Sequence, residues 1–278
     1  MFDNCLFIRT FASFLVNMKA KQVFDALEQY APLPLQDSYD NAGLQIGLTE
    51  EQEVTGALLC LDVTEAIIDE AERMGCNLVV AHHPLLFRGL KSITGSSYVE
   101  RCVIKAIQKG IGIYAAHTNL DNAEGGVNYR IAERIGLTSV QFLEAKPAGV
   151  SAGAGVMGEL PEAEDELAFL ERVKALFGIK CLRHSQCTGR KVRRVALCGG
   201  AGGFLLSNAI QQGADVFLTG EMRYHDYFGH ESELLIAEMG HYESEQYTID
   251  LLAEVLGRQL PQLRIVKTSN NTNPINYL

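Results

Sequence analysis

The chain has 278 residues, 47% of them hydrophobic and 21% charged, a globular composition with room for one large or two modest domains. Its formal net charge of -10 leaves no surplus of basic side chains to neutralise a polyanion. That argues against nucleic-acid backbone binding, and it admits a small anionic ligand only where a metal supplies positive charge locally. No stretch is long and apolar enough to span a membrane as a helix. The seven cysteines are scattered, odd in number and without a Cys-x-x-Cys pair, and Cys60, Cys102 and Cys198 sit in apolar runs, so a reduced, cytoplasmic setting is expected.

The first 17 residues contain the apolar run "FASFLV", but no basic region precedes it and Arg9 interrupts the hydrophobic part, so they do not read as a signal peptide. They are expected to be an upstream extension or a disordered tail. From Met18 an amphipathic helix is predicted, with Val23, Leu27 and Tyr30 on one face. "GALLCLDV" then reads as a strand. Thr64 caps a helix that runs through Met74 and stops at Gly75. "NLVVA" is a short strand entering His82. A helix over 98–109 carries Val99, Cys102, Val103, Ala106 and Ile107 on one face and ends at Gly110. "IGIYAA" is a strand entering His117, and "GGVNYRIAERIG" a further helix.

A second unit begins near residue 140, with a strand at "GAGVMGEL", a helix over 165–177 and the strand "VRRVALC". The turn "GGAGG" leads into a helix, followed by the strands "DVFLTG" and "LLIAEM", a helix over 241–257 and the strand "LRIVKTS". Short apolar strands alternating with helices predict an α/β fold with buried parallel strands. We expect two α/β domains, one of residues 18–138 and 240–278, the other of 139–239.

Three strands end in metal-ligand residue types: "VVAHHP", "YAAHTNLD" and "LIAEMGHYESE". Neighbouring side chains on a strand face opposite ways, but a strand that stops at Ala81 leaves His82 and His83 in the turn before Pro84, where both can face one cavity. His241 and Glu245 are four apart at a predicted helix start and share a face. His117 and Asp121 are also four apart, in what reads as a loop. Mixed nitrogen and oxygen ligands suit zinc, manganese, iron or nickel. Five or six such ligands exceed the three that a lone catalytic zinc takes, so two ions sharing a carboxylate is the economical reading.

"DNAGLQIG", "AHHPLLF", "HTNLDNAEGGVN", "LTGEMRYHD" and "GHYESE" closely resemble the YbgI-like, NIF-three-like dinuclear metal family, many of whose members carry the name of a type-two GTP cyclohydrolase I. The resemblance runs from Met18 to Leu278. It implies two similar α/β domains with mixed sheets, a metal pair in the cleft between them, and a homohexamer built as a trimer of dimers. It makes His82, His83, Asp121, His241 and Glu245 ligands, with Glu245 the bridge, and leaves His117 either a ligand or an acid/base. Glu221, Tyr224 and His225 resemble residues that line the family's cleft and are substrate-binding candidates. Tyr39 stands where the family often has tryptophan, a difference expected to affect packing. "LCGGAGGFL" lacks the P-loop ending and reads either as a phosphate cradle or as a tight strand–helix turn. His184 and His230 match no chemical pattern and are expected to be exposed or structural.

Three functions are open at this point. The resemblance implies a dinuclear metal-dependent hydrolase of the type-two GTP cyclohydrolase kind, with metal-held hydroxide attacking a purine ring and His117 or His225 moving protons. The same metals equally suit phosphoester or pyrophosphate hydrolysis. The third reading is a non-catalytic metal-binding oligomeric scaffold.

Overall fold

The computed structural model describes residues 18–47, 49–147 and 150–278, so the expected tail before Met18 lies outside the described residues. The chain opens with α1 (Ala20–Tyr30), which buries Val23, Phe24 and Leu27 along one stripe. Then come β1 (Gly43–Ile46), β2 (Ala57–Cys60), α2 (Glu65–Arg73), β3 (Leu78–Ala81), α3 (Tyr98–Lys109) and β4 (Gly112–Ala115). Thr64 caps α2 as its sequence predicts, its hydroxyl accepting the Ile67 N–H at 3.3 Å. After β4 come α4 (Thr118–Asp121) and α5 (Val127–Ile135). The rest is β5 (Thr138–Ala145), β6 (Gly153–Asp165), α6 (Glu166–Phe177), β7 (Arg183–His184), β8 (Lys191–Cys198), α7 (Leu206–Gln211), β9 (Val216–Thr219), β10 (Leu235–Glu238), α8 (His241–Glu245), α9 (Thr248–Gln259) and β11 (Ile265–Lys267).

The strands form two mixed sheets, in the orders β1-β4-β3-β2-β11 and β5-β6-β8-β9-β10-β7. Each is built on consecutive parallel strands: β2, β3 and β4 in one, β8, β9 and β10 in the other. Every residue of β2, β3, β4 and β9 is buried, because helices and the opposite sheet cover both faces. The expected α/β class with mixed sheets is the class observed. β11 returns to the first sheet as a parallel edge strand beside β2. One apolar core joins the sheets: Leu59 and Val80 of the first and Val195 and Leu218 of the second belong to it, with residues of α1, α5, α6 and α9. Among the described residues no helix is long and apolar enough to cross a membrane.

Some local expectations are corrected. "HTNLD" is a helical turn, with the Leu120 and Asp121 N–H groups donating to the His117 carbonyl at 2.8 and 3.0 Å. The helix expected over 241–257 is two helices, because Tyr247 sits at φ -82°, ψ -2° between α8 and α9. Ile107 of α3 is 60% exposed, since the buried stripe centres on Cys102, Val103 and Ala106 and Ile107 is turned about 140° from Cys102. β1, β5 and β7 are additional edge or short strands without an apolar run of their own; ladder pairing holds them. β6 is longer than expected, and its ladder with β8 shifts between Glu159 and Glu164, where Pro161 offers no N–H.

Candidate metal centre

The carboxyl ends of the parallel strands of both sheets meet at one place, the usual ligand position of open α/β sheets. His82 and His83 follow β3, His117 follows β4, and Asp121 closes α4. From the second sheet, β10 leads through Gly240 into α8, which presents His241 and Glu245. Because β3 stops at Ala81, the two adjacent histidines do share a cavity: their ring centroids lie 4.8 Å apart. The His82 ring is 5.3 Å from that of His117, and the His83 ring 5.2 Å from that of His241.

Each of these four imidazoles is held at Nδ1. His82 Nδ1–H donates to the Ala116 carbonyl at 2.8 Å. His83 Nδ1 bonds Asp62 at 2.8 Å, His117 Nδ1 bonds Asp40 at 2.7 Å, and His241 Nδ1 bonds Glu221 at 2.9 Å. A carboxylate or carbonyl behind Nδ1 is what fixes the tautomer and ring of a metal-ligating histidine. Asp40 is itself held by the Thr118 N–H and hydroxyl at 3.0 and 2.5 Å.

The other side of the rings faces the carboxylates. Glu245 Oε2 lies 3.0 Å from His83 Nε2 and 3.1 Å from His241 Nε2. Its Oε1 instead faces His82 Nε2 at 3.8 Å, and Asp121 Oδ1 lies 3.6 Å from that same nitrogen. Both His82 Nε2 and Asp121 Oδ1 are buried without a hydrogen-bond partner. A buried, unpaired acceptor pair is costly unless something else satisfies it. A divalent cation does so, and the nitrogen and oxygen donors are of the right kind. Three overlapping sets place one donor atom per residue within 4.8 Å of one another: His82, His83 and His117; His83, His241 and Glu245; and His82, Asp121 and Glu245. These groups can bind metal.

Burial and close contact shift the titratable groups of the cluster from their ordinary values. Burial holds the His82 pKa below its ordinary value. Burial also opposes charge on His83, but the bonds to Asp62 and Glu245 overcome it and push its pKa up to about 10. His241 rises to about 9 in the same way, burial being outweighed by Glu245. Burial together with the Glu245 charge pushes the Asp121 carboxyl well above the usual range. Glu245 stays well below it, because the His241 and His83 imidazoles bonded to its Oε2 outweigh its burial.

Open cavities adjoin the cluster. One of about 400 Å³ is walled by Leu61, Pro84, Phe87, Tyr242, Pro274 and Ile275, with His83, His117, Glu221 and His241 at its base. Another of about 240 Å³ opens beside Asp121 and Glu245, among Tyr39, Asn122, Asn128, Cys198 and Phe204. Tyr39 donates to Asp37 at 3.1 Å and leans on Phe87 at its rim. Glu221 reaches the cluster, whereas Tyr224, 73% exposed, and His225 lie on a short 3-10 turn, packed on each other and on Phe228. His184 is exposed, and His230 bonds Glu233. Sequence reasoning missed Asp62 and gave Asp40 no role; Asp62 follows a strand just as the histidines do, which was the available signal. The "GGAGG" turn serves close approach: at Gly200, φ +60°, an added Cβ would overlap Glu245 Oε1 and lie 3.2 Å from its Cδ.

The sequence matches the family profile described as Duf34/NIF3 (NGG1p interacting factor 3) over residues 18–274. A Clostridium perfringens protein named GTP cyclohydrolase 1 type 2 homolog is 34% identical over 87% of this chain and 93% of its own length. A Lactococcus lactis protein of the same name is 33% identical over 92% and 98%. Among solved structures, a Staphylococcus aureus hypothetical protein superposes with TM-score 0.86 at 28% identity, covering 94% of this chain and all (100%) of that one. With most of its length matched and the same fold throughout, the chain belongs to the Duf34/NIF3 family.

Proposed function

We propose that the protein is a dinuclear metal-dependent hydrolase of the type-two GTP cyclohydrolase kind, acting on the purine ring of a nucleotide. The observation that carries this reading is the division of Glu245, one oxygen toward His83 and His241 and the other toward His82, whose unpaired Nε2 faces Asp121. His83, His241 and Glu245 would hold one ion, and His82, Asp121 and Glu245 the other. Two divalent ions, of zinc, manganese, iron or nickel, supply Lewis acidity there and make water acidic near neutral pH. The names of the bacterial relatives support the choice of substrate.

The chain's own residues have separate tasks in this reading. His117, fixed by Asp40, holds or moves a proton at its remaining nitrogen, beside His82 and His83. The purine sits in the 400 Å³ cavity, where Phe87, Pro274 and Ile275 exclude water from its faces. Among that cavity's described lining residues none is lysine or arginine. An adjoining space of about 630 Å³ shares Glu221, His241 and Ile275, but its Arg183 and Arg223 are paired with Glu238 and Asp226, so the positive charge for the phosphates would come from the metal ions. The family's hexameric assembly and a cytoplasmic location complete the proposal; the free Cys60, Cys76 and Cys102 suit a reducing compartment.

The test is turnover of GTP by protein loaded with two equivalents of manganese, zinc or iron, followed by mass spectrometry, with His241→Ala prepared identically. Ring-opened or deformylated product that vanishes in the variant supports the reading. Intact GTP with every metal refutes the cyclohydrolase step, and release of phosphate instead would assign the site to phosphoester chemistry.

A further inference from the structure

The segment after β11 does not end at the sheet. It runs from Thr268 past the carboxyl end of β2 and reaches the metal centre, and three buried or half-buried carboxylates hold it in turn. Glu70 of α2 accepts the Thr268 hydroxyl, the Ser269 N–H at 2.9 Å, the Ser269 hydroxyl at 2.7 Å and the Asn270 amide at 2.8 Å. Asp62 accepts the Thr272 hydroxyl at 2.7 Å through Oδ2, while its Oδ1 holds His83 Nδ1 at 2.8 Å. Glu243, between His241 and Glu245 on α8, accepts the Asn273 amide at 3.1 Å. Pro274 and Ile275 then form one wall of the 400 Å³ cavity.

We propose that Thr272 is a positioning residue of the metal centre: its hydroxyl locks Asp62, and Asp62 locks the His83 ring, so that the strap of residues 268–275 sets the aim of one ligand from outside the cluster. The inference rests on the metal-binding reading above. A carboxylate on a strand end can rotate about its Cβ–Cγ bond, and a single bond to His83 does not stop it. A second donor on the opposite oxygen does, and it leaves Oδ1 free to serve the imidazole. The Glu70 bonds fix where that donor stands, since they anchor the chain immediately before it. Outer partners of this kind change metal affinity by 10- to 100-fold when a directly bonded one is lost; Thr272 acts one bond further out, so about tenfold is expected.

The test is titration of the metal-free full-length protein with cobalt(II), reading affinity and the visible ligand-field bands together. Thr272→Val, which keeps the shape and loses the hydroxyl, is expected to weaken cobalt binding about tenfold and alter the bands. Thr272→Ser is expected to restore both. In an Asp62→Ala background Thr272→Val is expected to have no further effect, because the coupling passes through the Asp62 carboxylate. Parental affinity and spectrum in Thr272→Val would overturn the proposal while leaving the metal site standing, as would a Thr272→Ser variant as weak as Thr272→Val or effects that simply add. A parent chain that binds no cobalt would overturn the metal reading and this inference with it. Should Thr272→Val melt early without metal, Thr272→Ala in the same cycle gives the same decision.

Discussion

Gly200→Ala tests the centre without changing any charge. Gly200 lies at φ +60°, a left-handed conformation that costs a residue with a Cβ about 1–2 kcal/mol. The added Cβ would overlap Glu245 Oε1 and sit 3.2 Å from Cδ and 3.4 Å from His241 Nε2, inside the roughly 3.5–4.0 Å at which carbon atoms pack comfortably. Glu245 must then swing from the position in which its oxygens are divided between His82 and the His83–His241 pair. Losing one charge-assisted hydrogen bond costs a further 1.5–3 kcal/mol or so. The expected loss is about 3 kcal/mol in urea denaturation of the metal-free protein, with metal affinity falling at least about tenfold in calorimetric titration. Gly178→Ala is the control, because Gly178 ends α6 at φ +64° with nothing within 4 Å of an added Cβ. It should show the backbone cost alone, about 1–2 kcal/mol. Equal losses in the two variants, with parental metal binding in Gly200→Ala, would refute the argument that the glycine exists for Glu245.

Glu245→Gln should bind fewer than two ions per chain by elemental analysis, and two tightly held ions would remove the bridging assignment. Metal uptake at pH 7 should release protons, because His83 and His241, raised to about 10 and about 9, are charged in the metal-free protein and must bind metal as neutral rings; calorimetry in buffers of different ionisation enthalpy measures this, and no buffer dependence would contradict it. Glu70 is held down to about 2, burial being outweighed by the bonds from Thr268, Ser269 and Asn270, so its contribution is complete above its ordinary value of 4.5 and disappears as the pH falls through about 2. Glu70→Gln should accordingly lose on the order of 2 kcal/mol at neutral pH and show a shallower acid limb; an unchanged acid limb would be the contrary result. Light scattering should find the hexamer expected of the family, and a monomer would remove that part of the proposal.

The alternation of strands and helices and the six residues gathered at the centre are legible in the chain's residue pattern. Both are local signals: four-residue apolar runs bury strands, and ligand residue types directly after such runs fall at one end of a parallel sheet, where His82, His83 and His117 stand. That pattern could not show that β11 would enter the first sheet beside β2 and carry Thr272 to Asp62, 210 positions away in the chain. Nor could it show which group would stand behind each imidazole, since Asp40 meets His117 across 77 residues and Glu221 meets His241 across 20. Those partners are chosen by strand order and by the crossing of two sheets on a common core, which periodicity does not encode. The glycines of "GGAGG" mark the same divide: sequence alone identifies a turn, but only the packing of that turn against α8 makes Gly200 the residue that leaves room for Glu245.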